Sequence, residues 1–297
     1  MSMGARPQAT HRALSRYQSG EVSAEITLMH LLLAAGTLDA FKQTIRDLAE
    51  SGVPLLMSLA AMAGSHAAGL ARTAALVEAG LADADGPGGP DGLASIRRQY
   101  DRAVAIAPEA AVALYSLGDP AVLDKATGEL VSLLRHWGVL GPTIEALDIG
   151  CGIGRLERAL APRLRHIVGI DLSAGMIAEA RQRCRGVANT AFLECSGRDL
   201  APFGDCSFDL VLAVDSFPYL VAADPRIAAH HFDEARRVLR PGGRLAIFNY
   251  SYRSDLARDR DDVAANAARA GLRILRDGVQ ELRLWDGAGF LLARPAA

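Results

Sequence analysis

The chain has 297 residues, of which 50% are hydrophobic, and its 32 basic residues nearly balance 34 acidic residues to give a net charge of −2. This length predicts one large domain or two smaller ones, with enough apolar side chains for a sizeable core. The balanced charge argues against a protein that holds duplex DNA through a basic face, so no nucleic-acid partner is expected.

The four cysteines form no CxxC pair and lie in no Cys/His cluster with zinc-ligand spacing. We therefore expect reduced thiols, a cytoplasmic protein and no metal site. The longest apolar runs are shorter than the roughly 20 residues that cross a bilayer, so no membrane partner is expected. Residues 1–20 lack the apolar core of a secretory signal, and we expect a flexible tail there.

Residues 21–84 show apolar side chains at helical spacing and predict an all-α N-terminal domain. Gly36 and Thr37 should divide its first long stretch into two helices, and Pro54 suits a first helical turn. The Pro/Gly-rich segment that follows predicts a linker over residues 85–92. This helical domain is expected to cover a ligand site of the following domain, to form a homodimer contact, or to do both.

The second domain is predicted over residues 93–297, with leading helices over 93–140 and either Asp119 or Asp124 as a helix cap. From residue 144, short apolar runs alternate with amphipathic stretches, which indicates crossover units on a mostly parallel sheet. Near the C-terminus, alternating runs flank Asp286–Gly287 and predict a hairpin, and hence one antiparallel strand.

The stretch ALDIGCGIGRLERAL places glycines at 150, 152 and 154 where a strand should turn into a helix. Glycine permits the tight turn and leaves the main chain open to a ligand, and the following helix N-terminus offers free N–H groups. The spacing G-x-G-x-G differs from the dinucleotide pattern G-x-G-x-x-G, which disfavours a nicotinamide oxidoreductase. Asp171 ends the next strand, where an acid can accept hydrogen bonds from ribose hydroxyls.

Four segments in order, DIGCGIG, GIDLSAGMIAEAR, FLECSGRDLAPFGDCSFDLVLAVDSF and RRVLRPGGRLAIFNY, resemble the class I S-adenosylmethionine-dependent methyltransferases. The resemblance covers roughly residues 120–297. It implies an α/β fold with a Rossmann-like seven-stranded sheet, mostly parallel with one antiparallel strand, behind the all-α domain. It also implies S-adenosylmethionine as cofactor and S-adenosylhomocysteine as product.

The resemblance assigns cofactor contacts to the glycine loop, the ends of the second and fourth strands and the loop after the third. Tyr100 and Tyr115 join them, because related enzymes often fold a leading segment over the cofactor as a helical lid. Pro241–Gly243 would turn into the fifth strand. Ser196–Gly197 replaces the family's frequent Asp-Ala pair, so the Ser196 hydroxyl or Asp199 would take over the adenine contact. The implied cofactor-binding residues are Asp148, Gly150, Cys151, Gly152, Gly154, Asp171, Leu172, Ser196, Gly197, Arg198, Ala213, Val214, Tyr100 and Tyr115.

An acceptor pocket is predicted where strand ends are rich in aromatic residues, because rings can face a sulfonium and stack on an acceptor. Its expected lining is Phe217, Tyr219, Tyr250 and Tyr252. The candidates for a catalytic role are Asp215, Tyr219 and His231. Asp215 is favoured as a base because it lies at a strand end, whereas His231 shares a helix with apolar residues and can simply pack.

The expected reaction is in-line transfer of a methyl group to an oxygen, nitrogen or carbon of a small molecule. Two other functions stay open. The same fold could transfer the aminocarboxypropyl arm of the cofactor, or it could bind the cofactor without catalysis as a sensor or partner subunit.

Overall fold

The computed structural model of the protein describes residues 5–81 and 92–296, and the predicted linker lies outside these residues except for Gly92, which begins a helix. The described chain divides into two compact units. A helical unit holds residues 5–81, 102–129 and 282–286, and a sheet unit holds the remainder. Residues 102–129 of the predicted leading helices therefore group with the N-terminal helices.

Eight helices supply the helical unit in whole or in part within the described residues. They are α1 (Ala5–Gln18), α2 (Ala24–Ala35), α3 (Leu38–Ala49), α4 (Pro54–Ser65), α5 (Ala67–Glu78), α6 (Gly92–Ile106), α7 (Pro108–Val112) and α8 (Pro120–His136), with a short 3-10 turn at Leu114–Ser116. Leu28, Leu59 and Leu70 are almost fully buried in its core. The α6 and α8 helices are shared, since residues 92–101 and 130–136 group with the sheet unit.

Local sequence signals fix several of these helix ends. Gly36 takes a left-handed φ of 72° and ends α2, and the Thr37 hydroxyl then accepts a hydrogen bond from the Ala40 N–H to cap α3. Pro54 begins α4. Asp119 rather than Asp124 caps α8, because its Oδ1 accepts a hydrogen bond from the Ala121 N–H at 2.8 Å.

Helix α1 occupies most of the segment that was predicted to be a flexible tail. Its sequence, ARPQATHRALSRYQ, contains no glycine and places its one proline in the first turn, where proline is tolerated. Ala13 is buried against the other helices, and Arg16 Nε pairs with Glu21 at 2.8 Å. Burial of an apolar stripe therefore orders this segment as a helix.

The sheet unit contains seven strands in the order β3-β2-β1-β4-β5-β7-β6. The strands are β1 (Glu145–Ile149), β2 (His166–Asp171), β3 (Thr190–Glu194), β4 (Phe208–Val214), β5 (Leu239–Phe248), β6 (Arg273–Val279) and β7 (Gly289–Ala293). The connecting helices are α9 (Arg155–Leu160), α10 (Ala174–Arg183), α11 (Phe217–Ala223), α12 (Pro225–Val238) and α13 (Leu256–Ala270), with a 3-10 turn at Ala161–Arg163. Strands β1 to β5 pair in parallel, and β7 pairs antiparallel to both β5 and β6.

This architecture confirms the predicted seven-stranded Rossmann-like sheet. The central strands are buried on both faces, as β4 shows with Leu210, Val211 and Leu212 all at 0% exposure. Fully covered parallel strands read as continuous apolar runs, which is why the sequence located them well. Reversal of strand order beside β1 places the ends of β1 and β4 at the switch point where open α/β sheets bind ligands.

Two local predictions need correction. Pro241–Gly243 lie within β5, where Gly242 takes a φ of 82° and the register with β4 shifts, so they form an irregular strand start and not a turn before it. The hairpin does not turn at Asp286–Gly287, because its first strand is β6, which ends at Val279. The intervening N–H groups of Arg283 and Leu284 donate to Glu129 Oε2 at 2.9 and 3.0 Å, and so they are unavailable to a strand ladder.

Among the described residues, no single helix is both long and apolar enough to cross a membrane, and only the bent pair α4–α5 meets the length and composition requirement when its two halves are taken together.

Candidate functional site

The glycine loop joins β1 to α9 in a conformation that other residues rarely adopt. Gly150, Gly152 and Gly154 have φ values of 77°, 54° and 74°, all left-handed. A Cβ on Gly150 would lie 2.5 Å from the Cβ of Ser216, and one on Gly154 would lie 3.1 Å from the Cβ of Ala180. The glycines therefore serve both the turn and the close packing of the elements that surround it.

Asp171, at the end of β2, holds the loop through its carboxylate. Its Oδ2 accepts a hydrogen bond from the Gly152 N–H at 3.0 Å, and its Oδ1 accepts one from the Ser173 N–H at 2.9 Å. Burial raises the pKa of Asp171 to about 6, although these backbone donors oppose the shift. Each carboxylate oxygen has a second lone pair, so the group can still accept hydrogen bonds from two ribose hydroxyls.

The first half of α6 packs beside this site through residues that the sequence analysis missed. Asp101 Oδ1 accepts hydrogen bonds from the Ser173 hydroxyl at 2.6 Å and from the Gly175 N–H at 3.1 Å. A Cβ on Gly197 would meet the Leu93 side chain at 3.5 Å and that of Leu172 at 3.7 Å. Leu93 thus lies beside the predicted Leu172 where the adenine is expected, and only the proximity of α6 to these strands reveals Leu93.

The predicted adenine edge borders a surface depression lined by Glu194, Cys195, Ser196, Asp199, Ala201 and Pro202. The Ser196 hydroxyl accepts a hydrogen bond from the Arg198 N–H at 3.1 Å, and Asp199 Oδ1 accepts one from the Ala201 N–H at 3.1 Å. Gly197 is buried between these polar residues. Both candidates for the missing adenine contact therefore lie on this depression.

A buried acid pair lies beneath the glycine loop. Asp148 is 1% exposed and Glu157 of α9 is 0% exposed, and Asp148 Oδ1 and both Glu157 carboxyl oxygens lack a hydrogen-bond partner of normal geometry. Burial raises the pKa of Asp148 to about 7, with Arg155 opposing the shift, and burial together with the charge of Asp148 raises the pKa of Glu157 well above its usual range. Glu157 was not predicted from the sequence.

Three tyrosines and Asp215 form a polar aromatic cluster at the carboxyl ends of β4 and β5, which we call the tyrosine cluster. The Tyr219 ring packs edge-on against Tyr100 and Tyr252, with centroids 5.1 and 5.7 Å apart. Asp215 Oδ1 accepts hydrogen bonds from Tyr252 Oη at 3.1 Å and from Asn249 Nδ2 at 2.7 Å. Asp215 and Asn249 both have left-handed φ values, 56° and 61°, and such strain is common at functional sites.

The tyrosine cluster keeps its phenol protons at neutral pH. Burial raises the pKa of Tyr100 well above the usual value and raises the pKa of Tyr219 as well, and the pKa of Tyr252 is also raised although 42% of that residue is exposed. Negative charge from Asp215 adds to each shift, and Tyr100 also feels Asp171. Tyr100 therefore lies within electrostatic reach of both carboxylates. The three hydroxyls act as hydrogen-bond donors and not as bases.

Several predicted site residues lie in the core instead. Phe217 is 0% exposed, and Tyr250 is 3% exposed with its hydroxyl accepting from Asn266 Nδ2 at 3.2 Å. Both rings belong to the cluster of buried residues beside the sheet. His231 is 1% exposed, its Nδ1 lies 2.9 Å from the Ile227 carbonyl, and burial lowers its pKa. These features fit a packing role and not a base.

The remaining predicted residues divide between backbone and side-chain roles. The Cys151 side chain packs inward among Ile177, Cys184 and other buried residues, so only its main chain is available at the loop. Ala213 and Val214 end β4 and are buried. Tyr115 lies in the helical unit, where its ring contacts Trp285 at 6.3 Å, and its role toward a cofactor stays a prediction.

Two buried polar atoms at the loop test whether a sulfonium nucleoside suits this site. Asp148 Oδ1 and Ser216 Oγ are both buried without a hydrogen-bond partner, and Ser216 packs directly on Gly150. Buried polar atoms are normally paired, so these two fit the amino and carboxyl groups of an amino-acid moiety. Together with Asp171 for a ribose, the residues present suit S-adenosylmethionine.

Comparison with known proteins agrees with this geometry. Residues 147–247 match the family model of the methyltransferase domain. The demethylmenaquinone methyltransferase of Clavibacter sepedonicus is 39% identical over 105 residues, which cover 35% of this chain and 40% of that protein. The enzyme of the same name from Tropheryma whipplei (strain Twist) is 37% identical over 135 residues, covering 42% and 54%. The chain thus spans about half the length of the curated relatives it matches.

A solved structure shares the fold. Phosphoethanolamine N-methyltransferase 1 of Haemonchus contortus, in complex with phosphoethanolamine and S-adenosylhomocysteine, superposes with a TM-score of 0.54 at 17% identity, covering 69% of this chain and 49% of that one. The glycine loop, the acid at the end of β2, the sheet order and the family match point to one conclusion. Residues 147–247 are a methyltransferase domain, and the residues around its glycine loop suit S-adenosylmethionine as the cofactor.

Proposed function

We propose that this protein transfers a methyl group to a small-molecule acceptor that is held by the tyrosine cluster. The observation that carries the proposal is the position of that cluster. Asp215 directly follows β4, and Tyr252 follows β5, at the edge of the sheet that also carries the glycine loop. Ligands of open α/β sheets bind at this edge.

When bound, S-adenosylmethionine supplies an electrophilic methyl group on its sulfonium, so the protein needs mainly to align an acceptor with it. Alignment by itself can lower a barrier by about 7–11 kcal/mol. The edge-on rings of Tyr100, Tyr219 and Tyr252 give a rigid aromatic wall, which can stack on an acceptor and face a positive centre. In-line transfer is therefore the reaction that this wall supports best.

The hydroxyls of the tyrosine cluster also provide a route for a proton. Because the phenols stay neutral, they can pass a proton along their hydrogen bonds but cannot take one up by themselves. Asp215 is the carboxylate at the end of this chain, and its Oδ1 already accepts from Tyr252 Oη. We assign to Asp215 the role of receiving the acceptor's proton through Tyr252. This role suits an acceptor with an ionisable O–H, N–H or C–H group.

The names of two relatives, both demethylmenaquinone methyltransferases, support a small-molecule acceptor, because demethylmenaquinone is a small molecule. Helix α6 contributes Tyr100 to the tyrosine cluster and Leu93 to the adenine side. We assign to its residues 92–101 the role of a helical lid over the cofactor. Such a lid keeps water away from the reactive cofactor and so prevents its hydrolysis.

The test is product analysis with S-adenosylmethionine and a panel of small hydroxylated, amino and quinol acceptors. Methyl transfer yields S-adenosylhomocysteine together with an acceptor that has gained one methyl group. Release of methylthioadenosine would instead support aminocarboxypropyl transfer. Tight cofactor binding without turnover of any acceptor would support the non-catalytic sensor or partner subunit. Tyr252→Phe should reduce turnover while leaving cofactor binding unchanged, with Tyr17→Phe in the helical unit as the matched control.

A further inference from the structure

The buried acid pair Asp148–Glu157 has no part in the reaction proposed above, yet it lies directly beneath the glycine loop. Asp148 of β1 pairs in register with Gly169 of β2. A Cβ on Gly169 would lie 2.4 Å from Glu157 Oε1, so the Glu157 carboxyl occupies the space that a side chain on β2 would fill. Glycine inside a strand often marks such a close approach. The two carboxyl groups are thus neighbours on one face of the sheet.

Charged and polar groups surround the pair. Arg155 faces Asp148 with a favourable charge, while Asp171 adds negative charge to both members of the pair. The Cys151 and Cys184 thiols also face Glu157, and burial raises the pKa of each, to about 11 for Cys184, so both remain neutral. Two adjacent buried carboxyls cannot both ionise cheaply, so a proton must remain on the pair.

Burial raises the pKa of both carboxyl groups, so the proton belongs to the pair. Asp148 Oδ1 and both Glu157 carboxyl oxygens are buried without a hydrogen-bond partner. Asp148 Oδ1 therefore keeps an unused acceptor site next to the loop.

The cofactor would bring a positive charge to this unused site. Asp171 suits the ribose over β2, so the amino-acid end of the molecule extends toward β1 and β4, where Asp148 Oδ1 and Ser216 Oγ lack partners. That end carries an ammonium group. We propose that Glu157 is a positioning residue that shares a proton with Asp148, and that binding of the cofactor's ammonium group over Asp148 expels this proton to solvent. This inference rests on the proposed cofactor pose.

Proton release can be measured without any turnover. Calorimetric titration with S-adenosylhomocysteine in buffers of different ionisation enthalpy gives the number of protons that leave on binding. Because the pKa of Asp148 is raised to about 7, we expect release of up to about one proton near neutral pH. Methylthioadenosine, which keeps the nucleoside but lacks the ammonium group, should release no more than the small fraction of a proton that Asp171 still holds near neutral pH.

Glu157→Gln is the decisive variant. Its amide carries neither a charge nor a titratable proton, which leaves Asp148 as the one carboxyl of the pair, so release on binding of S-adenosylhomocysteine should fall well below that of the wild type. Glu179→Gln, which removes a carboxylate that pairs with Arg183 at 2.6 Å on α10, should release as many protons as the wild type. Equal release from wild type and Glu157→Gln would overturn the proposal. So would tight binding by the wild type with no release at all.

A second measurement on the unaltered protein covers the case in which Glu157→Gln does not fold. Infrared difference spectra should show the protonated-carboxyl C=O band fall when S-adenosylhomocysteine binds and stay unchanged with methylthioadenosine. An unchanged band with both ligands would overturn the proposal. Failure of S-adenosylhomocysteine to bind would contradict the cofactor assignment itself, so the two ideas fail in distinguishable ways.

Discussion

Replacement of Gly150 by alanine tests the geometry of the glycine loop in two separable parts. The first part is backbone strain, because Gly150 has a φ of 77° and an L-residue in the left-handed region costs about 1–2 kcal/mol. The second part is steric, because the new Cβ would lie 2.5 Å from the Cβ of Ser216. Repacking around an added methyl group costs about 1–3 kcal/mol more.

Gly186→Ala is the matched control for the strain alone. Gly186 has a φ of 86°, and no atom lies within 4 Å of the position that its Cβ would take. The free energy of unfolding, from urea titration, should therefore fall by about 1–2 kcal/mol for Gly186→Ala and by about 2–5 kcal/mol for Gly150→Ala. Adding Ser216→Gly to Gly150→Ala should recover most of the difference. Equal losses for the two alanine variants, or no recovery in the double variant, would refute the predicted contact.

Three further predictions concern the cofactor site, the reaction and the core. Asp171 must be ionised to accept ribose hydrogen bonds, and its pKa is raised to about 6. The contribution of Asp171 to the affinity for S-adenosylhomocysteine should therefore be complete well above about pH 6 and should be lost as the pH falls through that value. Fluorescence titrations with methylthioadenosine isolate this effect, and a constant affinity down to pH about 5 would contradict it. Tyr252→Phe removes the hydroxyl that donates to Asp215, so it should lower kcat by about ten- to a hundredfold without changing cofactor affinity. Steady-state rates equal to those of the wild type would reject the proton route. The Trp137 ring stacks on Phe248 with centroids 5.2 Å apart, and its Nε1 donates a hydrogen bond to Glu281 at 3.2 Å. Trp137→Ala should therefore lower the free energy of unfolding by about 3–5 kcal/mol. A loss below about 1 kcal/mol in urea titrations would count against that packing.

The sheet and the conformation of the glycine loop were predicted well from the sequence because both depend on local patterns. Buried parallel strands appear as continuous apolar runs, and a left-handed turn restricts its residues to glycine. The hairpin was misplaced because its outcome depends on a distant residue. The Glu129 carboxylate accepts hydrogen bonds from the N–H groups of Arg283 and Leu284, and no local pattern near Asp286–Gly287 indicates these bonds.

The side chains of the acceptor region were predicted less well, because tertiary packing decides whether a side chain after a strand points into the core or toward solvent. Tyr250 and Tyr252 both follow β5, yet Tyr250 is 3% exposed and Tyr252 is 42% exposed. The tail residues formed α1 for a similar reason, since only packing of Ala13 reveals what orders them. Glu157 carried a signal in hindsight. It lies one helical turn before the buried Leu160 of α9, and Gly169 interrupts the apolar run of β2 at the position that the Glu157 carboxyl fills.

The central claim is that the glycine loop and Asp171 bind a sulfonium nucleoside, and calorimetry with S-adenosylhomocysteine tests it most directly. We expect one-to-one binding by the wild type and by the control Asp205→Asn, whose carboxylate is exposed at the surface. Asp171→Asn should bind at least about tenfold more weakly, the equivalent of about 1.5 kcal/mol, because its amide cannot accept from both the ribose and the Gly152 N–H. Undiminished affinity in Asp171→Asn, or no binding of S-adenosylhomocysteine by a wild-type protein that binds NAD, would contradict the claim.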